Sequence, residues 1–287
     1  MKNYLQLTKP SIMLLVIITG ATALVVEGSL LTQPVKFFLV LLGLYLTGGS
    51  ANALNQYFER DIDAKMSRTS KRRPLPQGAI KPLGALIFSV MIGIAGILIF
   101  GFVFNWFTAL LSLATILFYS LFYTLLLKPN TTQNIVIGGV AGAMAPVGAW
   151  AAATGRTDIV PWILFLIVFL WTPPHFWALA LFYKDDYHKS KLPMLPVIKG
   201  NAFTLRQIVF YAVLLVMASI LLFVVKAGWL YLVVAVLLGL RFIFKSLQAQ
   251  KYRTERHFRG LFGFSIAYLF ILFIAIVADE FIQRFMW

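Results

Sequence analysis

The chain has 287 residues, 60% hydrophobic and only 12% charged, with a formal net charge of +15. Its apolar runs outlast any core helix of a soluble fold and identify a polytopic membrane protein. The absence of cysteine excludes disulfides, thiolate metal sites, iron–sulfur ligation and a Cys nucleophile. The three histidines, His175, His188 and His257, lack the paired spacing of a zinc site, so any protein-held metal must lean on oxygen.

A bilayer core of about 30 Å takes about 20 helical residues to cross, and the apolar runs divide into nine spans near 11–27, 36–57, 83–103, 106–127, 134–153, 160–182, 207–225, 228–245 and 261–282. The charge-free stretch from Leu83 to Leu127 is two spans turning near Asn105. With the N-terminus in the cytoplasm, 21 of the 25 Lys and Arg residues fall on the cytoplasmic side, leaving Lys36, Arg156, Lys226 and Arg284 outside. That is the positive-inside distribution, and it predicts an N-in, C-out topology. The basic charge therefore belongs to membrane orientation, and no nucleic acid is expected as a partner. A secretory-signal reading of the first span, with its "ATA" at residues 21–23, is disfavoured because cleavage would reverse every later loop. The expectation is one all-α membrane domain over 1–287, nine transmembrane helices with cytoplasmic cap loops at about 58–82 and 183–206.

Chemistry concentrates in those two loops, which hold five of the ten acidic residues. In "NQYFERDID", Asn55, Glu59 and Asp63 recur every four residues, one turn apart on one helical face. Asp61 falls on the opposite side, solvated or paired with an arginine. Hard oxygen ligands of this kind suit Mg²⁺ shared with substrate phosphates, and Lys65, Arg68, Lys71, Arg72 and Arg73 lie close enough in sequence to grip those phosphates. The second loop, "YKDDYHKSKLPMLPVIKG", sets Asp185 and Asp186 beside Lys184 and Lys189, which suits a second ion or the completion of the first ion's shell. Pro173 and Pro174 are expected to break or kink the sixth span and free backbone groups toward a cavity beside His175.

"NQYFERDID" and "RTSKRRPLPQG" resemble the first signature of the UbiA-type intramembrane prenyltransferase superfamily. "LKPNTTQNIVIGGVAGAMAPVGAW", "WTPPHFWALALFYKDDY" and "LPMLPVIKG" are similar to its protohaem IX farnesyltransferase branch. The likeness runs from Leu7 to about Gly200 and is thin afterwards. It implies nine helices around a central cavity that opens to the cytoplasmic side and to lipid, and transfer of farnesyl from farnesyl diphosphate to a vinyl group of haem B, giving haem O. It also implies Asn55, Glu59 and Asp63 as the first Mg²⁺–diphosphate motif, Asp185 or Asp186 as the second, and Arg68, one of Arg72 and Arg73, and Lys128 on the diphosphate. His175 is the candidate haem contact. Two departures stand out: Glu59 replaces the usual Asp, and no full D-x-x-x-D follows Asp185 or Asp186. The setting implied is a bacterial plasma membrane, with haem-handling or oxidase-assembly membrane proteins as possible partners. Two rivals are a prenyltransferase of aromatic quinone precursors, which would lack the "PPHFWALA" and "LPMLPV" stretches, and a transporter, which would carry charges at the bilayer midplane.

Overall fold

A computed structural model describes residues 2–286, and among them no strand is found. Nine helices among the described residues are long and apolar enough to cross a bilayer: Pro10–Glu27, Pro34–Phe58, Pro82–Phe104, Trp106–Asn130, Asn134–Thr154, Ile159–Phe182, Gly200–Val225, Trp229–Tyr252 and Glu255–Arg284. They are spans 1 to 9 below. Helices are imposed because hydrocarbon offers no hydrogen-bond partner to a bare backbone. Proline in the first turn starts spans 1, 2 and 3, where its missing N–H costs nothing.

The first six spans lie within three residues of their expected limits. The last three run further, beginning at Gly200, ending at Tyr252 and beginning at Glu255, all at the end that carries the basic residues. Hydropathy locates the apolar slab, but polar helix formers such as Arg206, Lys245 and Gln248 continue the internal hydrogen bonding beyond it. The turn between spans 3 and 4 falls at Asn105. Its side chain accepts from the Thr108 amide at 2.9 Å and donates to the Ala151 carbonyl at 2.9 Å, tying the turn to span 5.

Pro173 and Pro174 do not break span 6. The helix Ile159–Phe182 runs unbroken through Pro173 and Pro174, and span 5 is the one that divides, into Asn134–Ala143 and Ala145–Thr154 ahead of Pro146. Span 6 is also the most enclosed of the nine, 78% buried over its apolar window. Packing from spans 5, 7 and 9 holds it in helical form despite the lost bonds. Spans 1 and 9 pack together, so the ends of the chain close the bundle. Spans 3, 4, 7 and 8 turn large apolar side chains such as Phe102, Val224 and Trp229 outward, as a lipid-facing surface requires.

The end of the bundle opposite the charged loops is sealed by two buried acids in span 9. Asp279 accepts from the backbone N–H groups of Gly228 and Tyr231 at 2.5 and 3.1 Å, capping span 8 from a neighbouring helix. Glu280 pairs with Lys226 at 3.3 Å and Arg284 at 2.9 Å, and Arg284 donates to the Val25 carbonyl at the end of span 1. Asp279→Ala is expected to cost about 1–2 kcal/mol of stability. A lower unfolding midpoint in detergent micelles checks this, and an unchanged midpoint would rule out a capping role.

Candidate active site

Span 2 carries Asn55 in its last turn, the chain bends at Glu59, and the short helix Arg60–Lys65 carries Asp63. The bend keeps the helical bonding: the Glu59 N–H donates to the Asn55 carbonyl at 3.0 Å and the Asp63 N–H to the Glu59 carbonyl at 2.8 Å. The three side chains therefore share one face, and all are buried, with at most 2% of their surface exposed. Asp61, on the other side, is exposed and lies 3.9 Å from Arg60.

Each of the three side chains meets a basic group from a different part of the chain. Lys128, at the end of span 4, donates to Glu59 Oε1 at 2.5 Å. Arg73 pairs with Asp63 through a short contact and lies 3.7 Å from Glu59. Lys9, just before span 1, donates to Asn55 Oδ1 at 2.8 Å. Burial alone would push the Glu59 carboxyl up, but Lys128, Lys9 and Arg73 together hold it below the usual glutamate range. For Asp63 burial wins, aided by the neighbouring Glu59 charge, and its carboxyl is pushed up despite Arg73. Burial, with Arg73 and Lys128 nearby, draws the Lys9 amine well below the usual lysine range.

A change of helix type in span 4 brings two of these groups into place. From Phe118 to Leu127 the helix is π rather than α, and Lys128 follows directly. Within it the Thr124 hydroxyl donates to the Tyr119 carbonyl, five residues back, at 2.7 Å and accepts from Asn55 Nδ2 at 3.0 Å. The Asn55 amide is thus held with its NH₂ on span 4 and its oxygen turned to Lys9. Tyr119 and Tyr123 stack with ring centroids 5.2 Å apart. Tyr123 presses against Gly138 of span 5, where any Cβ would collide with its ring. Such π segments are rare and gather at functional sites.

The second loop reaches the first, though not at the Asn55 face. Asp186 is buried and accepts from Ser67 Oγ at 2.6 Å and the Arg68 N–H at 3.2 Å, locking the two loops together. Asp185 is exposed, as is Lys189, while Lys184 donates to Asn201 at 3.1 Å. Arg68 extends over the Tyr183 ring, and its Nε is buried with no partner. Of the two adjacent arginines, Arg73 joins the cluster and Arg72 is exposed; Lys65 and Lys71 are exposed too.

His175 lies seven residues before the end of span 6, about 10 Å deeper at 1.5 Å per residue. Its ring is sandwiched between Trp171 and Phe262, with centroids 4.2 and 4.6 Å away, and Nδ1 lies 2.7 Å from Ser265 Oγ. Ser265 gives its one hydroxyl proton to the Phe262 carbonyl at 2.6 Å. The Nδ1–Ser265 contact fixes the plane of the ring and leaves Nε2 as the nitrogen without a partner from the protein.

A match to the UbiA prenyltransferase family covers residues 14–276. Protoheme IX farnesyltransferases of Erythrobacter litoralis and Gloeobacter violaceus are 44% and 45% identical to the chain. Each match covers 98% of this chain, and they cover 93% and 92% of those proteins. The chain belongs to the UbiA prenyltransferase family. At this identity it sits with the protoheme IX farnesyltransferases of that family, and the match continues well past Gly200, where recognisable motifs thin out. Solved structures share the fold. A digeranylgeranylglyceryl phosphate synthase superposes with a TM-score of 0.79 at 22% identity, covering 97% of this chain and 98% of that one. A UbiA homolog from Archaeoglobus fulgidus bound to GPP and Mg²⁺ gives 0.64 at 14% identity, covering 96% and 99%.

No three His, Asp or Glu side chains form a metal cage among the described residues. One amide oxygen and two carboxylates are what Mg²⁺ uses when phosphate and water complete its shell. Two residues of the cluster, Lys9 and Thr124, were not among the sequence candidates. Lys9 had a signal, a basic residue before Pro10 on the motif's side of the membrane; Thr124 had none, because its placement depends on the π register. Thr124→Val is expected to release the Asn55 amide and lower prenyl transfer about 10- to 100-fold at fixed Mg²⁺, while Thr124→Ser keeps most activity. Steady-state rates across a Mg²⁺ titration check this.

Proposed function

We propose that the chain transfers the farnesyl group of farnesyl diphosphate to a vinyl group of haem B, forming haem O. The observation that carries this reading is the buried trio Asn55, Glu59 and Asp63 with Lys128 and Arg73 upon it, in a chain whose relatives at 44% and 45% identity are named protoheme IX farnesyltransferase. Asn55, Glu59 and Asp63 are the residues that would hold Mg²⁺. When bound, the ion neutralises diphosphate charge and makes it a better leaving group. Lys128, Arg73 and Arg68, whose Nε has no partner in the protein, donate to the phosphate oxygens. The allylic C–O bond then breaks, its electron pair leaving with the diphosphate. The stacked faces of Tyr119 and Tyr123, on the π segment beside Asn55, suit the allylic cation that remains.

The haem vinyl group attacks that cation, the positive charge moves to the carbon next to the ring, and water adds there with loss of a proton to give the hydroxyethylfarnesyl group. Spans rich in Phe and Trp keep other water away until then. His175 offers Nε2 to the haem, held by Ser265 behind it. Asp186 braces the Ser67–Arg68 turn that aims Arg68, and Asp185, Lys184 and Lys189 form the outer edge of the same cap, where a second ion or a haem propionate would approach. The cap faces the cytoplasm of a bacterial plasma membrane, with the C-terminus outside, as the basic residues at that end favour. Haem-handling or oxidase-assembly membrane proteins are the natural neighbours.

Purified protein given haem B, farnesyl diphosphate and Mg²⁺ is expected to yield the hydroxyethylfarnesyl adduct by mass spectrometry, and excess chelator to abolish it. Glu59→Gln and Asp63→Asn should each lose about 10³-fold in rate while remaining folded in membranes. Full activity in both would overturn the reading. His175→Ala should weaken haem binding about 10-fold and leave binding of a farnesyl diphosphate analogue unchanged; equal losses would return His175 to a packing role.

A further inference from the structure

The cluster contains one donor too many for its own charges. Glu59 is matched by Lys128 and Asp63 by Arg73, each pair in direct contact. Lys9 Nζ has no carboxylate of its own, and its hydrogen bond goes to the neutral amide oxygen of Asn55. A half-buried amine that bonds to the buried Asn55 oxygen, beside two further cations, is costly unless an anion belongs there.

Nor is Lys9 in the cluster by chance of chain path. It sits at φ 53°, ψ 68°, a left-handed conformation that a non-glycine residue adopts only under constraint. The constraint is visible: Gln56 Nε2 donates to the carbonyls of Gln6 and Leu7 at 3.2 and 3.0 Å, and Asn52 Nδ2 to that of Thr8 at 3.3 Å. The Thr8 hydroxyl also meets the Tyr45 hydroxyl at 3.0 Å. Span 2 thus grips the backbone on the N-terminal side of Lys9 and points its side chain at the motif.

We infer that Lys9 is a diphosphate-binding residue that, before substrate arrives, occupies the Asn55 oxygen which the divalent ion takes over. With the site loaded, Lys9 would give up the Asn55 oxygen and donate instead to the diphosphate of the prenyl substrate. No bond is made or broken in this exchange; one hydrogen bond moves from amide oxygen to phosphate oxygen. The inference rests on reading the trio as a metal–diphosphate site.

The test uses the purified full-length chain in detergent, as wild type, Lys9→Met and Lys9→Arg, with two binding measurements. Mn²⁺ affinity without substrate is read from its electron paramagnetic resonance signal, and affinity for unreactive farnesyl thiodiphosphate with Mg²⁺ is read by calorimetry. Lys9→Met is expected to bind Mn²⁺ as tightly as wild type or severalfold tighter, because a competitor is gone, yet to bind the analogue about 10- to 100-fold more weakly. Lys9→Arg should keep analogue affinity within about threefold, since it keeps a cationic donor. Parallel loss of Mn²⁺ and analogue in Lys9→Met would make Lys9 a scaffold for Asn55 and overturn the inference, as would unchanged analogue affinity. A Lys9→Met protein that fails to fold leaves the decision to Lys9→Arg, where a loss beyond tenfold overturns the inference and retention supports it. Wild-type protein that binds neither ligand would remove the site reading itself along with the role of Lys9.

Discussion

Two carboxylates and an amide are held out of water at the end of an apolar bundle, and the rest of the site depends on how their charge is answered. Without Lys128 and Arg73, Glu59 and Asp63 would be uncompensated buried charges, which a fold tolerates only by protonating them or admitting water. The answering groups come from the first charged loop and from the end of span 4, so the cluster forms only when distant parts of the chain are assembled.

Secondary structure is bent to serve that centre. A regular α-helix would carry Thr124 and Lys128 past Asn55 and Glu59, whereas the π segment widens the turn and brings both into register. Gly138 gives Tyr123 room to stand against span 5, and a broken span 5 with an unbroken span 6 shows that proline alone does not decide where a membrane helix ends. The neighbours of Pro173 and Pro174 keep that helix whole, while Pro146 begins a new one.

The two ends of the bundle divide the work. At one end Asp279 and Glu280 are engaged with span 8, Lys226 and Arg284, an arrangement that fastens helices together. At the other end the buried Nε of Arg68 has no partner and Lys9 has only a neutral one.

Composition and hydropathy by themselves determined an all-α membrane chain with nine spans, and four-residue spacing determined that Asn55, Glu59 and Asp63 share a face. Those features are local: an apolar run must form a helix in lipid, and a helix repeats every 3.6 residues. The tertiary structure alone decided that Arg73 and not Arg72 enters the cluster, that Asp186 fastens the two loops while Asp185 stays exposed, and that Lys9 and Thr124 belong to the site at all. Each of these is a meeting of side chains far apart in sequence, set by helix packing and by a π register that no periodicity announces.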